Sequence, residues 1–415
     1  MRTLGKYSIG IGDRFGHQAK AQLKAIQLAK NAGVTVIPVW NKSYREHQII
    51  GSQSSVTREQ ADLAVRELEW QDSYFVDADH INLHNVDFFI DSCDFFTIDV
   101  ADYIGEPADP AEVKSFVKRY EKYKGGLHLS GIDSILNISR ELIQKTAEKY
   151  LFAVKQAGEI YRHIAVAKEN DIFVIEVSMD ETNEAQNPAE LFFILAALSD
   201  EQIPLQTIAP KFSGRFNKGV DYVGNIDQFH REFEEDVAVL ALAVKEFNLP
   251  SVLKFSIHSG SDKFSIYPVI REVIRNQDTG LHLKTAGTTW LEELIGLAEA
   301  GGEGLRIVKN LYRQSLEHYD ELVTPYASVI DIETTQLPDP KEVDVWDGAI
   351  FSSTLRHDKK NSLYNHNFRQ LMHVAYKMAA QMGERYLRAL DEAEIIITKN
   401  VIENIYERHI KALFL

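Results

Sequence analysis

Eight short runs of apolar and β-branched residues recur along the chain, and each gives way to polar residues and usually then to a helical pattern. They are YSIGIG (7–12), VTVIPVW (34–40), SYFVDA (73–78), FFTIDV (95–100), FVIEVS (173–178), LQTIAP (205–210), VLKFSI (252–257) and LHLKTA (281–286). Their apolar character is nearly continuous rather than alternating, as in strands buried on both faces of a parallel sheet. Between the first two runs, HQAKAQLKAIQLAKNAG sets Ala, Leu and Ile at helical spacing and ends on a Gly stop signal. NPAELFFILAALSDE and IDQFHREFEEDVAVLALAVKEF read as helices of the same kind. Eight strands with helical crossovers predict an α/β fold, a (β/α)8 TIM-type barrel. A doubly wound open sheet is the alternative, weakened because no G-x-G-x-x-G follows the first run.

The barrel is expected over residues 1–325. The connection between the fourth and fifth strands, about 103–170, exceeds a simple crossover and predicts a long helical insertion containing ISRELIQKTAEKYLFAVKQAGEIYRHIAVAKE. Residues 326–415, which include the Pro- and Asp-containing stretch TTQLPDPKEVDVWDG and the helical NFRQLMHVAYKMAAQMGERYLRAL, form a C-terminal helical extension expected to pack on the barrel. There is no repeat with a period of about 20 to 50 residues and no low-complexity tract.

Hydrophobic residues make up 45% of the 415 and aromatics 10%, enough for a large core, which excludes a mainly disordered chain. Lys plus Arg number 45 against 61 Asp plus Glu, a formal charge of −16. That balance argues against nucleic acid or an anionic membrane as partner and leaves room for a local basic pocket around an acidic small molecule. Cys93 is the single cysteine, so intrachain disulfides and Cys-based zinc clusters are ruled out, and its apolar neighbours favour packing over nucleophilic use. Neither a signal-peptide pattern nor an apolar run of about 18 residues occurs, so a soluble cytoplasmic protein is expected.

Chemistry in such a barrel sits at the carboxyl ends of its strands. Those ends read GDRFGH, NKSYRE, DADH, DVAD, EVSMDE, APKFSGR, HSGSDKF and KTAGTTW, nearly all carrying ionisable groups. Asp77 and Asp79 share one face of a strand, with His80 following. Glu176 stands inside an apolar strand, where an ionised carboxylate needs a partner or a metal. His258 closes the seventh strand and His282 lies in the eighth. One such histidine alone reads as packing. His80, His258 and His282 together with the carboxylates read as a candidate set for Zn²⁺, Mn²⁺ or a similar ion, although no H-E-x-x-H motif is present. Arg14, Lys211, Lys263 and Lys284 also sit at strand ends; one or two belong in salt bridges, and gathered in one pocket they suit a carboxylate or phosphate. His128, in GLHLSG, reads as a surface loop residue, the glycines of GGLH and GEG as turns, and EFEED as a solvated helix face. No G-x-S-x-G elbow supports a serine nucleophile.

At these residues the chain resembles the tagaturonate epimerases of bacterial hexuronate catabolism. The similar segments are GDRFG (12–16), VDADH (76–80), FFTIDVADYI (95–104), EVSMDET (176–182), KGVDYVGNIDQF (218–229), IHSGSDKFSIYP (257–268), HLKTAGTTWLE (282–292) and RQLMHVAYK (369–377), in order over most of the chain. The resemblance implies a divalent-metal-dependent isomerase that interconverts D-tagaturonate and D-fructuronate or acts on a related keto-uronate. It implies Asp79 as base, Glu176 as acid, and His80, His258 and His282 as metal ligands. Members of the family carry a further N-terminal stretch, which leaves the exact acidic keto sugar open. The two uronates differ at a carbon two bonds from the ketone, which simple enolisation does not invert, so retro-aldol chemistry is expected, one carboxylate taking the hydroxyl proton and the other serving as acid. Lys263 and Arg14, with Arg369 as an outside candidate, are expected to hold the substrate carboxylate. The competing readings are a metal-dependent aldolase or isomerase on another acidic keto sugar, and a non-catalytic sugar-acid-binding protein.

Overall fold

The computed structural model describes residues 4–169, 172–182 and 184–415. Its strands, in chain order, are β1 (Tyr7–Gly12), β2 (Val36–Ser43), β3 (Phe75–Ile81), β4 (Phe95–Asp99), β5 (Gly125–His128), β6 (Ile135–Ile138), β7 (Val174–Ser178), β8 (Leu205–Ala209), β9 (Lys254–His258) and β10 (Leu281–Lys284). Eight of them close into a parallel barrel in the order β1-β10-β9-β8-β7-β4-β3-β2. These are the eight apolar runs, each within a few residues of the expected bounds. The fold is the (β/α)8 TIM type, with helices between the strands and a helical C-terminal segment.

Two-residue periodicity explains how the barrel interior changes character along its axis. At the amino-terminal end Leu4, Ile37, Val39, Phe75, Phe95 and Val174 form a separate apolar plug. One step further along the same faces stand Asp77 after Phe75, Thr97 after Phe95 and Glu176 after Val174, all buried. The outward residues Val76, Phe96 and Ile175 belong to the larger core shared with the helices. Gly10 on β1 is small for a reason: a Cβ there would lie 2.7 Å from Cγ of Lys284, so the glycine makes room for that side chain inside the barrel.

The long connection after β4 holds helices Pro110–Tyr120 and Arg140–Lys168, as expected, and between them an antiparallel ribbon, β5 with β6, that was not expected. His128 lies on this ribbon rather than in a loop, and it is exposed. Cys93 is buried, and burial raises its thiol pKa, in keeping with packing. Beyond β10, helix Gly287–Ala300 receives helix Glu394–Ile402 from the C-terminal segment. They meet closely at Gly296, where a Cβ would stand 2.5 Å from Ile397. The final residue, Leu415, accepts hydrogen bonds from Arg271 (2.7 Å) and Arg275 (2.8 Å). No helix among the described residues is long and apolar enough to cross a membrane.

Candidate active site

At the carboxyl end of the barrel a cavity of about 310 Å³ opens, with Asp79, His80, Asp180, His258 and Lys284 in its wall. Strict alternation along β3 would send Asp79 and His80 to opposite faces. Instead the register with β4 shifts between Ala78 and Ile81, and His80 takes φ +54°, left-handed and uncommon for a residue other than glycine. The bulge turns His80 back, so that two consecutive residues both reach the cavity.

Lys284 is the hub. Its Nζ lies 2.7 Å from Asp77, 2.9 Å from Asp79 and 3.0 Å from Glu176, and it donates to Thr97 Oγ1 at 2.5 Å. Thr97 in turn is 2.9 Å from Asp77 and 3.1 Å from Glu176. Burial acts to raise the pKa of all three carboxylates. For Asp79, the Lys284 ammonium and His80 outweigh burial and hold it well below the usual range. For Glu176, Lys284 and His258 do the same. Asp77 is the exception: burial and its two acidic neighbours win over Lys284 and push it up to about 7. With both ionised carboxylates around it, Lys284 stays protonated against its own burial.

A second cluster adjoins the first. One ligand atom each from His80, Asp180 and His258 fall within 4.8 Å of one another. His258 Nδ1 is 3.2 Å and His80 Nε2 3.6 Å from Asp180 Oδ1, and neither ring nitrogen makes a hydrogen bond although both are buried. The opposite nitrogens are both engaged: His258 Nε2 with Glu176 at 2.8 Å, and His80 Nδ1 with Asp79 at 3.0 Å. A carboxylate behind each imidazole is how metal-binding histidines are commonly oriented. Burial lowers the basicity of both rings, but Asp180 and Glu176 bring His258 to about 9, and Asp79 with Asp180 carries His80 well above its ordinary value. The surroundings therefore demand positive charge where these groups meet.

Of the other expected residues, some reach the cavity and some do not. His282 is fully buried deeper in the barrel, its Nδ1 2.9 Å from Ser8 Oγ, and burial pushes it down to about 3; it stands outside the His80–Asp180–His258 group. Glu176 is fully buried beneath His258 and Lys284 and is not part of the cavity wall. Arg14, Lys211 and Lys284 do line the cavity. Arg14 is paired with Glu46 and stacks over Tyr376 at 4.8 Å. Lys263 and Arg369 are fully buried away from the wall: Lys263 donates to the carbonyls of Val220 (2.8 Å) and Asn217 (3.0 Å), and Arg369 is paired with Asp262 at 2.9 Å. Sequence reasoning missed Asp180, which lies in a turn beyond the end of β7 where periodicity gives no direction. It also missed Arg215 and Lys218, contributed by the loop after β8.

A TIM-type barrel with its charged groups gathered in one cavity at the carboxyl ends of the strands has the layout of barrel enzymes that act on small polar molecules. The family model for tagaturonate epimerase matches residues 2–413, and the chain belongs to that family. A tagaturonate/fructuronate epimerase of Thermotoga maritima is 26% identical over 426 residues, covering 98% of this chain and 80% of that protein. The fold is shared with the crystal structure of the fructuronate-tagaturonate epimerase from Cohnella laeviribosi. Its one-glycerol complex aligns with TM-score 0.81 and 24% identity over 99% of this chain and 82% of that one. The native form gives the same score over 100% and 82%.

Proposed function

We propose that the protein interconverts D-tagaturonate and D-fructuronate by breaking and remaking a carbon–carbon bond, with a divalent cation held by His80, Asp180 and His258. The observation that carries this reading is the adjacency, in one cavity, of an ionised Asp79 locked to Lys284 and a cluster of three convergent ligand atoms. The fit to a cation rests on the two buried ring nitrogens without hydrogen bonds, each facing Asp180 and each backed by a carboxylate. Two imidazoles and a carboxylate suit Zn²⁺ or Mn²⁺. A bound cation there supplies Lewis-acid polarisation of the ketone and its neighbouring hydroxyl.

The residues of the chain divide the remaining work. Asp79, at the cavity wall, takes the proton from the hydroxyl on the carbon to be inverted. The bond between that carbon and its neighbour on the ketone side then breaks, its electron pair passing into the ketone fragment and leaving an aldehyde. The aldehyde turns over, the bond re-forms on its other face, and Asp79 returns the proton to the new alkoxide oxygen. Lys284 faces the same cavity and steadies negative charge on that oxygen in both directions. In this reading Glu176, 3.0 Å from Lys284 and 2.8 Å from His258, acts on the reacting atoms through those two side chains.

The test is an NMR time course with D-tagaturonate in D₂O and the Mn²⁺- or Zn²⁺-loaded protein. D-fructuronate is expected, with no deuterium at the inverted carbon. Deuterium there replaces the bond-cleavage mechanism by direct proton exchange, accumulation of both fragments makes the protein an aldolase, and the absence of turnover with either metal overturns the substrate.

A further inference from the structure

Among the described residues five lysines and arginines line the cavity, and three of them are already matched. Arg14 is paired with Glu46, Lys284 with Asp77, Asp79 and Glu176, and Arg215 with Asp331 at 2.9 Å. Lys211 and Lys218 have no carboxylate within salt-bridge distance among the described residues, although both belong to the wall that follows β8. Asp79 and His80 belong to β3, three strands from β8, whereas Asp180 follows β7 and His258 closes β9, the two strands that flank β8. The acidic Glu181, also after β7, is exposed. The β8 side of the cavity is thus where net positive charge is left over in a chain of formal charge −16.

The turn carrying Lys218 is held from beneath in an unusual way. Lys263 donates to the carbonyls of Asn217 and Val220, and Arg369 donates to that of Gly219. Both cations are fully buried. Arg369 has Asp262 as counter-ion, whereas Lys263 has carbonyls and the Ser261 hydroxyl as hydrogen-bond acceptors, and burial moves it down to about 7. From above, Lys218 N–H is tied to the Val329 carbonyl at 2.8 Å. Two long cationic side chains spent on three consecutive-turn carbonyls fix the backbone of residues 217–220. Gly219 adopts φ +78°, and a Cβ there would lie 3.3 Å from the Arg369 carbonyl oxygen, so the turn favours glycine at this position.

We propose that Lys218, with Lys211 in the same cavity wall, binds the carboxylate of the substrate, and that Lys263 and Arg369 are positioning residues that set where Lys218 stands by holding its turn through the carbonyls. The inference rests on the acidic keto sugar of the proposed function. It gives the substrate an orientation: the carboxylate lies against Lys218, on the loop after β8, while the ketone end lies toward His80, Asp180 and His258. Because the carboxylate belongs to the fragment that becomes the aldehyde, the same contact keeps that fragment in place while it turns.

The experiment compares wild type, Lys218→Met, Lys263→Met and Arg369→Lys. It uses the keto-uronate and the neutral ketohexose that has a hydroxymethyl group in place of the carboxylate, with calorimetric binding of the keto-uronate measured beside turnover. Loss of a charge-assisted contact to a carboxylate is expected to weaken Lys218→Met about 10- to 150-fold toward the uronate, mainly in KM and in the binding constant. Its response to the neutral sugar should match wild type. Lys263→Met is expected to raise KM for the uronate with kcat largely kept, and if it fails to fold, Arg369→Lys, which retains the charge beside Asp262 and loses the planar fork, supplies the same comparison. Equal binding of the uronate by wild type and Lys218→Met overturns the proposal, as does an equal loss for both sugars. Binding without turnover by wild type, weakened in Lys218→Met, upholds the carboxylate site while removing the epimerase reading. No binding of the uronate by wild type removes both.

Discussion

Each of the two histidines in the proposed ligand cluster has a carboxylate on its far nitrogen, the way metal-binding imidazoles are commonly oriented. Glu176 accepts from His258 at 2.8 Å with its own side chain fully buried, so its charge is felt at close range. Glu176→Gln keeps the shape and removes the charge. Metal affinity, read by chelator competition, should fall about 10- to 100-fold, because the imidazole loses the charged partner that orients it and raises its basicity. Glu141→Gln, an exposed change on the helix Arg140–Lys168 and away from the cavity lining, serves as the control and should leave affinity unaltered. Unchanged affinity in Glu176→Gln would show that His258 is not a ligand oriented in this way. The residues of this site were legible in the sequence to different degrees. Asp79, His80 and His258 announced themselves because charge at the end of an apolar run has few explanations. Lys263 carried the same signal but is buried away from the cavity wall, because position at a strand end does not say which way a long side chain points; Arg369, on the helix His366–Val374, carried no such signal. Asp180 lies within the charged strand end EVSMDE but was not singled out, because in a turn periodicity gives no direction.

Among the elements, the barrel strands were readable because burial on both faces leaves near-continuous apolar runs, and the β5–β6 ribbon was not, since GGLH is short, glycine-rich and largely exposed. The bulge in β3 also lay beyond the reach of pattern, for nothing in DADH indicates that His80 adopts a left-handed conformation. Small residues on β1 were equally silent until the partner strand was in place. In YSIGIG, Ser8 meets His282 and Gly10 meets Lys284 across the β1–β10 pair. Gly10→Ala would put a methyl group 2.7 Å from Lys284 Cγ, with the Lys284 Cα only 3.3 Å away, so the lysine must shift inside a packed barrel. Overpacking of this kind costs about 1 to 3 kcal/mol. Here it should also disturb the Lys284 contacts with Asp79 and Glu176. The expected outcome is a lowered Tm together with a kcat loss out of proportion to it, checked by thermal melts and initial rates at a temperature where the variant is fully folded. A stability loss with kcat intact would place Lys284 outside the chemistry.

At the scale of the whole molecule, the C-terminal segment is joined to the barrel by buried polar contacts as well as by apolar packing. Asp262, in the loop after β9, receives Arg369, His357 and His409 at 2.9, 3.2 and 3.1 Å. Glu292, on the helix after β10, receives Asn404 at 3.0 Å and lies 3.5 Å from Arg356. The two acids differ in balance. Around Asp262 the cation and donors outweigh burial and keep it ionised, whereas burial of Glu292 wins over Arg356 and raises it to about 7 from an ordinary 4.5. A carboxyl whose folded pKa lies above its unfolded one binds a proton more tightly in the native state. Its contribution is therefore fully present below about pH 4.5, declines as pH rises, and is gone, leaving a buried charge to accommodate, above about pH 7. Glu292→Gln carries the amide in place of the acid and keeps an acceptor for Asn404. Its stability relative to wild type should therefore rise across that window, by about 1 to 3 kcal/mol once pH exceeds 7, with little difference at pH 4.5. Urea titrations of both proteins at pH 5, 6, 7 and 8 measure it directly. A constant offset across the series would mean that Glu292 is already ionised in the native protein, held so by Arg356, and that the segment is docked through a charge pair rather than through a neutral acid.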